Sequence, residues 1–143
     1  MASSPPPTRI AAWPAILFLL WNLIGCAAFI MQSTMDLAEL AQSDPLQAQI
    51  WEVMPIWAWA AYLIAVTSGT LGAIALLAKR SLAVPLSALC LISVLVQFSY
   101  TFLLTDLLNQ RGFAAALFPL VIILIALGQT LYAMAAKRKG ALR

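Results

Sequence analysis

"WNLIGCAAFIMQ", residues 21–32, decides how many helices cross the membrane. Asn22 places an amide inside an otherwise apolar run, and Leu23-Ile24-Gly25-Cys26 has the pattern of a lipidation and cleavage box. A cleaved signal requires the apolar character to stop near Cys26, because its hydrophobic region spans only about 7–15 residues. Here Ala27, Ala28, Phe29, Ile30 and Met31 continue it. Counted from Trp13 the run reaches the roughly 20 residues that a bilayer-spanning helix needs. The stretch therefore reads as the second half of a first transmembrane helix, retained in the protein.

Three further runs have the same length and character. The sequence predicts spans at about 13–32, 55–78, 82–105 and 112–136. The 143-residue chain is 64% hydrophobic and only 9% charged, with mean hydropathy +0.96. Soluble domains carry nearer 25% charged residues, so a water-soluble fold is excluded. The expected fold class is all-α, an integral bundle of four transmembrane helices. Residues 1–12 read as a disordered Ser/Pro-rich head, 13–136 as the bundle and 137–143 as a basic tail.

Charge then orients the bundle. Arg9, Lys79, Arg80, Lys137, Arg138, Lys139 and Arg143 fall on one side of the four-span scheme, and Arg111 alone on the other. All five acids, Asp36, Glu39, Asp44, Glu52 and Asp106, share the side of Arg111. Basic residues in short loops stay cytoplasmic, so both termini are expected inside. The net charge of +3 follows from this topology and does not indicate a nucleic-acid partner.

The first outward connection, from Ser33 to Met54, carries helical spacing of its own. Leu37, Leu40 and Ala41 interleave with Asp36 and Glu39, which extends helix one beyond the membrane in this reading. Ser43-Asp44-Pro45 should break it, with Asp44 as an N-cap and Pro45 in the first turn of a short helix. Lys79-Arg80-Ser81 is too tight for anything but an antiparallel hairpin. Trp51, Trp57 and Trp59 cluster at the outer end of helix two. They read either as an interfacial aromatic belt or as a platform for a ligand.

Helical projection at 100° per residue puts Asn22, Gly25, Phe29, Gln32, Asp36 and Glu39 within an arc of about 100°. Polar groups at membrane depth must face other helices or water, not lipid. Helix two offers a complementary small face that includes Ala61, Ala65, Ser68, Gly69 and Gly72, suited to close helix packing. Candidate polar positions are Asn22, Gln32, Ser93, Gln97 and Gln129. They either line a polar cavity between the helices or join the helices by hydrogen bonds.

Catalytic chemistry finds no purchase in this chain. It contains no histidine, and neither a nucleophile elbow nor a phosphate loop occurs. No Asp, Glu, Lys or Arg falls near the middle of a span, which argues against proton coupling. The expectation is a protein that is not an enzyme, with no cofactor and no metal site. Cys26 and Cys90 lie within different spans, and both read as small buried hydrophobes.

"LLWNLIG…FIMQ", "MPIWAWAAYLIAVTSGTLGAIALLAKRSLAVPL" and "SVLVQFSY" give the chain a further likeness. Across residues 15–103 it resembles a family of four-helix bacterial membrane proteins of uncharacterised mechanism that carry the label "sugar transporter". The resemblance implies a bacterial inner-membrane protein and a small polar solute, such as a sugar, as a possible cargo. The residues themselves point first to helix–helix association, with the bilayer and a second copy or another membrane protein as partners.

Overall fold

The computed structural model describes residues 12–103, 112 and 114–142. The head over residues 1–11 lies outside the described residues, as do Asp106, Arg111 and Arg143. Six helices make up the described chain: α1 Trp13–Ser33, α2 Leu37–Ser43, α3 Pro45–Glu52, α4 Ile56–Leu77, α5 Ala83–Leu103 and α6 Ala114–Arg138. Four of them, α1, α4, α5 and α6, are long and apolar enough to cross a membrane. The chain is a multi-pass membrane architecture with α2 and α3 inserted between its first two spans.

Local chemistry sets the helix ends. Pro14 occupies the first turn of α1, where its missing N–H costs no helical bond. At the other end the Thr34 N–H and hydroxyl both donate to the Ile30 carbonyl, at 3.2 and 2.7 Å. Asp36 then starts a new helix, its carboxylate accepting from the N–H groups of Ala38 and Glu39. The sequence reading carried α1 outward through Asp36 and Glu39 on one face, and the structure corrects this. The break over residues 34–36 ends α1, and α2 begins as a separate helix with its own N-cap at Asp36. Asp44 caps α3 through the Gln47 N–H at 3.1 Å, with Pro45 at the first helical position.

The spans alternate in direction. Ala15 from the start of α1 packs with Ala75 and Leu76 from the end of α4, Ala83 from the start of α5, and Ala133 and Ala136 from the end of α6. That end carries Lys79, Arg80, Lys137, Arg138 and Lys139, and is called the basic end below. The opposite end joins Ala58 of α4 and Tyr100 of α5 to Ile50 of α3. It carries Asp36, Glu39, Asp44 and Glu52, and is the acidic end. The Tyr100 hydroxyl donates to the Ile50 carbonyl at 2.9 Å, fastening α3 onto the bundle.

Two matching turns close the basic end. After α4 the Arg80 N–H reaches the Ala75 carbonyl at 2.8 Å and Lys79 stands at φ 58°. After α6 the Ala141 N–H reaches the Ala136 carbonyl at 3.0 Å, and Gly140 stands at φ 75°. Both are six-to-one C-caps, with the left-handed residue that such caps require. The second turns the chain back, so Ala141 and Leu142 are buried against the bundle instead of extending from it.

Helix α4 is the centre of the assembly and α1 its flank. Buried residues make up 44% of the α4 span and 11% of the α1 span. Ala58, Ala61, Ala65, Ser68, Gly69, Gly72 and Ala75 are all buried. In lipid there is no hydrophobic drive between helices, so close approach and interhelical hydrogen bonds must hold them. The small face of α4 supplies the close approach.

Candidate functional site

Two places concentrate the polar and aromatic residues of the spans. The first is the middle of the bundle, where α1, α4, α5 and α6 meet around one pair of amides. Asn22 of α1 and Gln129 of α6 are separated by 107 residues in sequence, and the Asn22 Nδ2 donates to Gln129 Oε1 at 2.9 Å. The second Nδ2 hydrogen of Asn22 goes to the Phe18 carbonyl at 2.7 Å. Gln129 Nε2 donates to the Gly69 carbonyl at 3.1 Å and to Ser87 Oγ at 3.0 Å. All four amide hydrogens therefore have protein acceptors on the four spans.

Glycine makes this meeting possible. A Cβ on Gly69 would collide with the Asn22 carboxamide and stand 2.9 Å from Cys90 Sγ. One on Gly72 would stand 3.0 Å from both Gln129 Nε2 and Ser87 Oγ. The amides thus lie directly on the backbone of α4. A buried amide with unmade bonds is costly, and here the backbone itself supplies an acceptor. Asn22 is 8% exposed and Gln129 2%, so water has little access to either.

Ser87 was not among the candidates read from the sequence. It lies three residues before Cys90 and six before Ser93 on α5, a spacing that puts all three on one helical face. Ser93 is also buried, but it takes no part in these four bonds. Gln97 is half-buried further toward the acidic end of α5. Gln32 is separate again, near the acidic end of α1. The structure thus joins two of the five candidate polar residues, Asn22 and Gln129, and disperses the other three.

Cys26 and Cys90 are free thiols. Cys26 Sγ lies 3.7 Å from the Val66 carbonyl and 3.3 Å from Thr70 Oγ1, which ties α1 to α4 a turn beyond Asn22.

The second place is an open groove of about 460 Å³ at the acidic end, where α1, α2, α3 and α4 converge. Its walls include Phe29 and Gln32 of α1, Leu37 of α2, Trp51 of α3, and Ile56 and Trp59 of α4. Trp59 stacks on Tyr62 with ring centroids 6.3 Å apart and planes within 5°. Phe29 meets both rings edge-on, at 6.1 Å from Trp59 and 5.0 Å from Tyr62. The Gln32 amide lies near the Tyr62 side chain. Trp57 belongs elsewhere: it sits edge-on to Tyr100, with centroids 6.0 Å apart, on the α5 side of the bundle. The three tryptophans grouped by sequence therefore divide, Trp51 and Trp59 lining the groove and Trp57 packing on α5.

No protein family, curated protein or solved structure matches this chain.

Proposed function

We propose that this chain is a small non-enzymatic protein of the bacterial inner membrane, with both termini cytoplasmic, that acts through helix–helix association as an accessory subunit or homo-oligomer. The observation that carries this reading is the closed centre. The amides that would have to meet a passing solute are engaged with each other, with the Gly69 carbonyl and with Ser87. A transporter of small polar solutes would need those groups to face a pathway. In this arrangement they hold the four spans together.

The flank formed by α1 supports the same reading. Ile16, Leu20, Leu23 and Ile24 are exposed along it, and α1 packs mainly on α4. A second helix can lie against such a surface without displacing anything in the bundle. The proposed orientation rests on seven basic residues on one side of the spans against one on the other. Its placement in the bacterial inner membrane rests on the resemblance noted above.

Native mass spectrometry from lipid nanodiscs tests the proposal, together with photo-crosslinking from Leu20 and Ile24. A discrete homo-oligomer or a stoichiometric membrane partner is expected, with crosslinks formed through α1. A protein that stays monomeric and uncrosslinked, yet takes up a sugar saturably in proteoliposomes, would show instead that the transporter reading is correct.

A further inference from the structure

The groove at the acidic end is independent of the association reading, and its chemistry selects a different kind of ligand. We propose that it binds a lipophilic organic cation, a positive centre shielded by apolar substituents. Three properties lead there. The walls are mainly apolar and aromatic, with Phe29, Leu37, Trp51, Ile56 and Trp59 against two polar side chains, the Gln32 amide and the Ser33 hydroxyl, the second already donating to the Ile30 carbonyl. Such a lining favours an apolar body over a sugar, which needs several hydrogen-bonding groups to replace its water.

Aromatic faces supply the second property. A cation near the face of a tryptophan is attracted by the ring quadrupole, and tryptophan is the strongest of the aromatic partners. Trp51 and Trp59 reach the groove from different helices, so an occupant can meet both.

Charge supplies the third. Asp36 lies between Met35 and Leu37, both of which line the groove. Glu52 directly follows Trp51, and Glu39 lies two residues beyond Leu37. All three carboxylates are exposed. Every described ionisable group carrying charge on α2 and α3 is an acid, and the described basic residues lie at the opposite end. The local field therefore attracts a cation and repels an anionic amphiphile such as a fatty acid. A lipid chain alone would use neither the carboxylates nor the indole faces.

Tetraphenylphosphonium and tetraphenylborate have nearly the same shape and opposite charge, so they separate the charge from the apolar contribution. Binding is read by equilibrium dialysis against the full-length protein in nanodiscs of neutral phosphatidylcholine, with empty nanodiscs subtracted. Saturable binding of the phosphonium alone is expected. Trp59→Leu should weaken it about tenfold while Trp59→Phe retains most of it, as a ring-face attraction requires. Glu39→Gln with Glu52→Gln should weaken it about threefold at low ionic strength and by less at high salt, because both carboxylates are exposed and screened. These two side chains face solvent, so the charge arm stands even where a tryptophan variant fails to fold. Equal saturable binding of both ions overturns the proposal, as does unaltered phosphonium binding in Trp59→Leu and in the double glutamine variant. Saturable binding of decanoate or glucose that the phosphonium cannot displace also overturns it.

Discussion

Asn22 and Gln32 are two amides on one helix, ten residues apart, and they do opposite things. Asn22 lies where all four spans converge, with both its N–H groups accepted by protein oxygens. Gln32 stands in the wall of an open groove beside Phe29 and Trp59. A helical projection alone assigns them to one stripe. What separates them is the partner helix at each depth. At Asn22, α4 offers Gly69, so backbone and amide touch. Near Gln32, α4 offers the large rings of Trp59 and Tyr62 in place of a bare backbone, and Trp59 lines the open groove. Amides in a membrane protein become structural or accessible according to the size of the residue across from them.

The largest test of this comparison is to fill the close approach. Gly69→Ala places a methyl group against the Asn22 carboxamide and Cys90 Sγ, and the shift needed to admit it strains the Gln129 bond to the Gly69 carbonyl. The expected loss is about 3 kcal/mol, the upper part of the range for overpacking. Gly72→Ala has slightly more room and should lose about 1–2 kcal/mol on the same reasoning. Gly25→Ala would meet only the Val66 side chain at 3.4 Å, an ordinary contact, and should be nearly neutral. Reversible unfolding in bicelles, followed by steric trapping, measures all three. Equal effects at the three glycines would remove the claim that the amide meeting needs a bare backbone.

The next test removes the amides themselves. Asn22→Leu leaves Gln129 Oε1 without its donor in a buried site and should cost about 2 kcal/mol. Gln129→Leu should cost a similar amount by stranding the Asn22 N–H and removing the donor that serves Ser87. If the two act as one unit, the double variant should lose less than the sum, with a coupling of about 1 kcal/mol, near the usual strength of one interhelical hydrogen bond. Strict additivity would mean that the amides stabilise the bundle separately.

Much of this architecture is visible in the chain before any coordinates. The four spans follow from run length, Asp44-Pro45 announces α3, and the small face of α4 can be projected from Ala58 to Ala75. The break between α1 and α2 is hidden because apolar spacing continues through it without glycine or proline. Its signal is Asp36-x-x-Glu39, a carboxylate N-cap followed three residues later by glutamate, as at many helix starts. The Asn22–Gln129 pair is hidden for another reason. It depends on the relative height of helices distant in sequence, which no single-helix projection contains. The groove is hidden for the same reason as the pair, since Leu37, Trp51 and Ile56 come from three different helices.

The smallest effect expected of an amide is the most discriminating. Gln32→Leu, like Asn22→Leu, replaces a carboxamide by an apolar side chain on the same helix. The first acts in a groove open at the acidic end, the second in a sealed centre. Gln32 is itself half-buried in the wall of the open groove, so water can take over the contacts its amide gives up. A leucine there also adds apolar contact with Phe29 and Ile56. The stability change should therefore stay within about 0.5 kcal/mol, the usual range for accessible positions. Thermal unfolding of the two variants side by side in one detergent gives the comparison directly. A Gln32→Leu loss as large as that of Asn22→Leu would mean that the groove amide is also part of the scaffold. The division between a sealed centre and an accessible acidic end would then fail at its simplest point.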